Sequence, residues 1–187
     1  MEYPPLRIAG IEPESYVDGP GIRLTVFTQG CHHHCPGCHN PQTHDFAGGH
    51  FIDREEILQM IEENPLLDGV TFSGGDPMEQ SMALIPLARE IKERGMNLVI
   101  FTGYTYERLM ELIPEKPEML ELLSFADILI DGPFIMAKRS LEIKFRGSTN
   151  QRIIDVQQSL TMGHVVLHQI QLDEMEAQKA LTSAQDY

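Results

Sequence analysis

Hydrophobic and polar positions follow two alternating patterns along this chain. Short apolar runs with β-branched residues predict strands at residues 24–28, 70–73, 98–102 and 127–130. Between these runs, apolar residues recur at helical spacing, as they do in the stretch that follows residue 53. Strands that alternate with amphipathic helices are typical of β/α units around a parallel sheet. The pattern therefore predicts an α/β fold built as a partial, incomplete parallel β/α barrel.

Local signals mark the ends of two predicted helices. Asp53 stands where it can cap the first helix, and Glu56 three residues later can reach back to the cap. The second helix is expected to end at Arg94, with Gly95 as its stop. Pro86 lies inside that helix and is expected to kink or split it.

The pattern is less regular after residue 133. Further strands are predicted near residues 152–156 and 164–170, and residues 172–187 lack a clear apolar stripe, which predicts a frayed helix or a tail. We expect residues 1–156 to form the core and residues 157–187 to add a C-terminal strand and tail that packs on the core or extends from it.

Composition limits the classes of function that need to be considered. The 187 residues are 42% hydrophobic, which suits one domain with a real core. A formal net charge of -14 argues against nucleic-acid and membrane-surface binding, because phosphate contacts need Lys and Arg. No apolar run approaches a membrane span, and no signal peptide is recognised, so a cytoplasmic protein is expected. Residues 138–152 form a local basic segment that could dock a partner or an anionic cofactor group, or be merely solvated.

The most specific signal is the set of three cysteines, Cys31, Cys35 and Cys38, spaced as C-x3-C-x2-C. Thiolates are the usual ligands of iron-sulfur clusters, and three of them leave one iron of a 4Fe-4S cluster open for another ligand. A tetrahedral zinc site with a histidine as fourth ligand is the rival interpretation. Against it, no second C-x2-C pair follows in the sequence. The candidate histidines for that site are His32, His33, His34 and His39.

The predicted strands end in glycine-containing turns, where parallel β/α folds keep their sites. Gly74-Gly75-Asp76-Pro77 follows the second strand, and the cysteine segment follows the first. Together these two motifs resemble those of radical S-adenosylmethionine enzymes. The resemblance implies that Cys31, Cys35 and Cys38 bind a 4Fe-4S cluster, whose open iron binds S-adenosylmethionine. It also implies that Gly74, Gly75 and Asp76 receive the methionine amino group.

Two positions depart from the family pattern. The residue before the third cysteine is often an aromatic that contacts adenine; here it is Gly37, and we expect His39 to stack in its place. Asp76 stands where Glu is commoner, which shortens the side chain by one methylene. For His32, His33 and His34 we expect loop solvation, with tuning of the cluster through hydrogen bonds to sulfur as the alternative.

Further motifs narrow the subfamily. Residues 18–23 (DGPGIR) resemble the opening of enzymes that activate glycyl-radical enzymes. The motifs CPGCHNP, DGPF and FRGSTNQR resemble those of activators of anaerobic ribonucleoside-triphosphate reductase. This resemblance implies reductive cleavage of S-adenosylmethionine to methionine and a 5′-deoxyadenosyl radical. That radical would take a hydrogen atom from a glycine Cα of the reductase and leave a glycyl radical there. It also implies a low-potential electron donor such as flavodoxin or ferredoxin.

Because cluster and S-adenosylmethionine would carry the chemistry, no general acid or base is expected. Tyr104 and Asp131, at strand ends, are candidates for contacts to the ribose or for structural roles. Three alternatives stay open at this point: a pyruvate formate-lyase-type activase, a deazapurine synthase, and a non-catalytic zinc-binding adaptor.

Overall fold

The protein is described by a computed structural model that covers residues 3–185. Within these residues one sheet has seven strands in the order β3-β1-β2-β4-β5-β6-β7. The strands are β1 (Leu6–Ser15), β2 (Arg23–Thr28), β3 (His50–Ile52), β4 (Gly69–Gly74), β5 (Asn97–Phe101), β6 (Ile128–Asp131) and β7 (Arg152–Asp155). The helices are α1 (Arg54–Glu63), α2 (Ser81–Glu93), α3 (Tyr106–Leu112), α4 (Pro117–Phe125), α5 (Val156–Met162) and α6 (Gln169–Gln185).

The centre of the sheet is parallel. Strands β2, β4, β5 and β6 run in one direction, while β1 pairs antiparallel with β2 and β7 pairs antiparallel with β6. The sheet stays open, with β3 at one edge and β7 at the other. The expected fold class, an α/β protein with an incomplete parallel β/α barrel, is therefore confirmed.

Both faces of the parallel strands are buried. On β6, Leu129 joins a large core shared with the helices, whereas its neighbours Ile128 and Ile130 join a smaller cluster with Val99 and Ile153. This division follows from the two-residue period of a strand, which sends successive side chains to opposite faces. Such strands read as continuous apolar runs, which is why the pattern located all four of them.

Strands β1 and β3 were not predicted. Strand β1 contains Gly10 and Pro13, its pairing with β2 has two register shifts, and its second half is largely exposed. Strand β3 has only three residues and little burial. Neither segment shows the apolar pattern of a core strand, because neither contributes a full face to the core.

Two local expectations about the helices need correction. Asp53 occupies the N-cap position of α1, but its side chain makes no capping hydrogen bond. Pro86 does not split α2, which continues from Ser81 to Glu93, while a kink at Pro86 stays a prediction. Pro86 is buried together with Leu84 and Leu87, and this packing compensates for the backbone hydrogen bond that proline cannot make.

The strand expected at residues 164–170 is reduced to a single antiparallel bridge, between Leu167 and Ile154 of β7. The edge of β7 is instead covered by irregular chain and by one side chain: Asp155 N–H donates to Val166 O at 2.9 Å, and Ile153 N–H donates to Gln171 Oε1 at 2.6 Å. The frayed helix or tail expected at residues 172–187 is helical as far as the structure describes it, as part of α6, and a domain boundary at residue 156 stays a prediction. None of the described helices is long and apolar enough to cross a membrane.

Arg23 joins the amino ends of the parallel strands. Its fully buried guanidinium donates to Thr71 Oγ1 at 2.6 Å, Val70 O at 2.7 Å, Pro20 O at 2.9 Å and Asn97 O at 3.0 Å. Burial lowers the pKa of Arg23 to about 10, which leaves the side chain charged at neutral pH. The DGPGIR motif therefore contributes a structural anchor at the end of the sheet where the strands begin.

We expect Arg23→Ala to lower the free energy of unfolding by about 3 kcal/mol, because the buried Thr71 Oγ1 and Val70 O and three partly buried acceptors lose their donor. Anaerobic urea unfolding measures this loss. Arg108→Ala is the matched control, since Arg108 makes an exposed ion pair with Glu111 and should change stability by less than about 0.5 kcal/mol. Equal effects of the two variants would show that the buried network does not anchor the sheet.

Candidate functional site

A cavity of about 740 Å³ lies on the inner face of the sheet, toward the carboxyl ends of the parallel strands. The three cysteines, Gly74 and Gly75 all line it, together with aromatic side chains from β2 and β5. Sequence reasoning placed these motifs at neighbouring strand ends, and the structure brings them into one cavity. The aromatic and strand-end lining residues are Phe27, Ser73, Phe101, Thr102, Gly103 and Phe134.

Backbone hydrogen bonds hold the cysteine segment in place. Gly30 N–H donates to Thr43 O at 2.7 Å, and Cys31 N–H donates to His44 O at 3.2 Å. Cys38 N–H donates to Cys35 O at 3.0 Å, which closes the turn between the second and third cysteines. The first cysteine is thus fixed by the following segment and the other two by their own turn.

The three thiols are donors of the kind that iron-sulfur clusters use. Burial raises the pKa of the Cys31 thiol to about 11, and it also raises the pKa of Cys35. Such thiols ionise only with a strong compensating positive charge, which bound metal supplies. Within residues 3–185, no group of three or more His, Cys, Asp or Glu side chains is arranged as a metal site.

The Gly-Gly turn at the end of β4 packs directly on the residue that precedes the first cysteine. Gly75 N–H donates to Thr28 O at 2.8 Å, and Asp76 N–H donates to Gly30 O at 2.9 Å. A Cβ atom added to Gly75 would lie 2.3 Å from Gly30 O, so only glycine allows this approach. The turn therefore lies next to Cys31 with its backbone facing the cavity.

Asp76 lies behind this turn and is completely buried. Its carboxylate accepts hydrogen bonds from Met78 N–H at 3.0 Å, Thr102 Oγ1 at 2.9 Å and Gly103 N–H at 3.0 Å, and it contacts His33 Nε2 at 2.7 Å. A carboxylate has about four acceptor positions, and these four groups use them. Contact between Asp76 and a methionine amino group stays a prediction, and in this arrangement it would have to displace one of the four.

The expectation of loop solvation is wrong for His33. Its side chain is 18% exposed, it contacts Asp76, and its ring meets Tyr104 edge-on with centroids 4.5 Å apart. The hydrogen bond with Asp76 raises the pKa of His33. His32 and His34 are exposed, as expected for solvated loop residues.

His39 and Gly37 flank the third cysteine and have different surroundings. His39 lines the cavity, and its ring centroid lies 4.9 Å from that of Phe134. Gly37 packs against Met136, whose methyl carbon lies 2.0 Å from where a Cβ of residue 37 would be. An aromatic residue could not replace Gly37 without displacing Met136.

Asp131 has a structural role. It is buried, accepts Tyr106 N–H at 2.8 Å, and pairs with Arg152, whose guanidinium also binds Glu107. Tyr104 donates to Glu79 Oε1 at 2.5 Å, and burial is the main cause that raises its pKa. These contacts show no free polar group of Asp131 directed at a ribose.

Sequence reasoning missed three features of the site. Thr102 links β5 to Asp76, and a polar residue at the carboxyl end of a buried strand is the signal that could have revealed it. Residues 140–147 form one wall of the cavity, although the sequence showed them only as part of a basic segment. Within the basic segment, residues 138–152, Arg146 forms an ion pair with Glu174 and Arg152 forms one with Asp131. Lys138, Arg139 and Lys144 stay exposed.

Comparison with known proteins identifies the class of protein to which this chain belongs. A family model described as "4Fe-4S single cluster domain" matches residues 17–154, a range that contains the three cysteines and both glycines of the turn. The chain is 42% identical over 132 residues to a pyruvate formate-lyase-activating enzyme from Clostridium pasteurianum, which covers 67% of this chain but 55% of that enzyme. The QueE structure from Escherichia coli matches with a TM-score of 0.43 and 19% identity, over 54% of each chain.

Two other relatives match over nearly their whole length. The anaerobic ribonucleoside-triphosphate reductase-activating protein of Vibrio cholerae is 33% identical over 149 residues, and that of Pasteurella multocida is 34% identical over 151 residues. Each match covers 75% of this chain and 92% of the relative. The family match and the cavity together define a radical S-adenosylmethionine enzyme with one 4Fe-4S cluster, which sets the zinc-adaptor alternative aside. Within that class, the chain belongs to the family of anaerobic ribonucleoside-triphosphate reductase-activating proteins.

We expect Asp76→Asn to lower the free energy of unfolding by about 2–4 kcal/mol, because an amide NH2 would then face buried N–H donors. The variant should also bind less iron on reconstitution, since His33 loses its anchor. Anaerobic urea unfolding and iron analysis measure the two effects. Glu12→Gln, an exposed change on β1, is the control; matching values for the two variants would contradict the assigned role of Asp76.

Proposed function

We propose that this protein activates an anaerobic ribonucleoside-triphosphate reductase by generating a glycyl radical on it. The observation that carries the proposal is the single cavity that joins the three cysteines to the Gly74–Gly75 turn and opens through an apolar rim. The family to which the chain belongs supports the choice of partner, because two relatives named for that activity match over 92% of their length.

Cys31, Cys35 and Cys38 are the residues that would hold the 4Fe-4S cluster. Bound together, this cluster and S-adenosylmethionine supply reductive cleavage of the sulfonium to methionine and a 5′-deoxyadenosyl radical. The chain's own contribution is to position both groups and to keep water away from them. No residue is assigned as a general acid or base, because the cluster and S-adenosylmethionine supply the chemistry.

The backbone of Gly74 and Gly75 is suited to receive the methionine amino group, because it faces the cavity beside Cys31. Asp76 would contribute indirectly, because its buried carboxylate fixes the Gly-Gly turn and the cysteine segment in place. His39 lines the cavity against Phe134 and is the residue we assign to adenine stacking. Gly37 has no side chain, so it could contribute only backbone contacts. Met136 occupies the space that a side chain at this position would need.

Apolar walls would enclose the reacting groups. Phe27, Phe101 and Phe134 line the cavity together with Ile143 and Phe145. Such walls exclude water, which prevents side reactions of a reactive intermediate. The three cysteines are the only thiols of the chain, so no further thiol is available to quench a carbon radical.

The rim of the cavity favours a protein substrate over a small metabolite. Tyr16, Val17 and Leu141 line the cavity and are 64%, 74% and 88% exposed. Exposed apolar residues gathered around one opening are typical of a surface that contacts another protein. A backbone glycine of the reductase would reach the cavity through this rim.

The cellular setting is part of the proposal. Free thiols stay reduced in the cytoplasm, where an iron-sulfur protein of this kind would act. A low-potential protein such as flavodoxin or ferredoxin would deliver the electron. The net charge of -14 supports the absence of a nucleic-acid partner, because nucleic-acid contacts rely on an excess of basic residues.

A second candidate is activation of a pyruvate formate-lyase. It is favoured by the 42% identity to the Clostridium enzyme, of whose length this chain spans about half. Both candidates use the same cavity chemistry, so only the partner distinguishes them.

The test uses protein reconstituted anaerobically with iron and sulfide, then mixed with S-adenosylmethionine, a strong reductant and one of the two candidate partners. We expect 5′-deoxyadenosine and, with the reductase, the electron paramagnetic resonance signal of a glycyl radical. Cys38→Ala should lose the cluster and both products, whereas Glu12→Gln should keep them. A radical on the lyase but not on the reductase would replace the first candidate with the second.

A further inference from the structure

Helix α6 lies outside residues 17–154, which the family model matches, and yet it contacts a loop that lines the cavity. Its first turns are anchored on β7, where Gln171 Oε1 accepts Ile153 N–H at 2.6 Å. Ile170 packs on the small apolar cluster of Val99, Ile128, Ile130 and Ile153 that lies beside the cavity. The first turns of the helix are therefore fixed on the sheet, whereas residues 175–183 are exposed.

The segment next to α6 is the wall loop, which we define as residues 140–147. Its base is closed by a bridge between Arg139 and Ser148 and by Ser140 N–H donating to Gly147 O at 3.2 Å. Most of its residues line the cavity, namely Ser140, Leu141, Ile143, Lys144, Phe145, Arg146 and Gly147. The wall loop has no regular secondary structure of its own.

One residue of the wall loop needs outside support for its conformation. Phe145 has φ 58°, in the left-handed region that costs energy for a residue with a side chain. Its ring packs on the same apolar cluster that Ile170 of α6 covers. Tertiary contacts therefore set the shape of the loop, because local backbone preference opposes it.

Glu174 of α6 supplies two of these contacts. Its carboxylate accepts Lys144 N–H at 2.8 Å and pairs with the guanidinium of Arg146. The Arg146 side chain is 4% exposed and that of Glu174 is 10% exposed, so water screens the pair very little. Arg146 also donates to Gln151 O at 3.3 Å, which ties the loop tip back to its base.

We infer that Glu174 is a positioning residue that holds the wall loop against the cavity and so sets the affinity for S-adenosylmethionine. The inference rests on the proposed function. The cysteine segment has separate anchors, namely the backbone of Thr43 and His44 and the contact between His33 and Asp76. Loss of the Glu174 contact should therefore loosen the cofactor wall while leaving the cluster ligands in place.

The test compares wild type, Glu174→Gln and Glu174→Ala as cluster-loaded proteins, with Glu176→Gln as the control. Glu176 is an exposed residue on the same helix. Hydrogen exchange read by mass spectrometry reports the wall loop directly, and equilibrium dialysis reports the dissociation constant for S-adenosylmethionine. Iron analysis reports the cluster.

In both Glu174 variants we expect exchange in residues 140–147 to be at least about tenfold faster, as for a segment that opens more often. We expect the dissociation constant to rise by about tenfold, with iron content and exchange in residues 31–44 unchanged. Unchanged exchange in the wall loop, or unchanged affinity, would overturn the inference. Faster exchange throughout the chain would also overturn it, by assigning Glu174 to general stability.

These readouts keep the inference separate from the proposed function. They need no reductase, so a wild-type protein that fails to activate the reductase would contradict the proposed function alone. Failure of the wild-type protein to bind S-adenosylmethionine at all would also contradict the proposed function. A normal wild type with an unaltered Glu174 variant would contradict the inference alone.

Discussion

The buried carboxylate of Asp76 is the interaction on which the site depends. It joins the end of β4 to the end of β5 through Thr102 and Gly103, and it joins both to the cysteine segment through His33. A buried charge without donors would be strongly unfavourable, so these segments are held together whenever the protein is folded. The Gly-Gly turn and the first cysteine thereby keep a fixed separation before any cofactor binds.

The rest of the architecture supports this junction from both ends of the strands. Arg23 gathers the amino ends of β2, β4 and β5, and the loops at the carboxyl ends enclose the cavity. Between these two ends the strands are buried on both faces, which makes the sheet a rigid base for the site. The more adaptable parts are loops: the exposed apolar rim, and the wall loop that α6 supports.

The sequence predicted the parts of the fold that obey local rules. Apolar runs located β2, β4, β5 and β6, and cysteine spacing with the Gly-Gly turn identified the cavity lining. The errors occurred where tertiary contacts decide. Gln171 accepts one N–H of the β7 edge, where the expected strand shortens to a single bridge at Leu167, and α2 continues through the buried Pro86.

The role of Asp76 shows the same limit. Its place after two glycines identified it as a site residue, but its four hydrogen-bond partners come from segments 2 to 43 residues away in the chain. The ion pair of Arg146 with Glu174 spans 28 residues and was equally hidden. Motif residues can thus be located from sequence, whereas the partner of each side chain requires the fold.

To generate a glycyl radical, this protein must take a hydrogen atom from a glycine of the reductase. Reductase labelled with deuterium at glycine Cα, combined with mass spectrometry of the 5′-deoxyadenosine formed with the reconstituted protein, tests this transfer. We expect one deuterium in that product. Unlabelled 5′-deoxyadenosine, formed while the reductase acquires no radical, would contradict it.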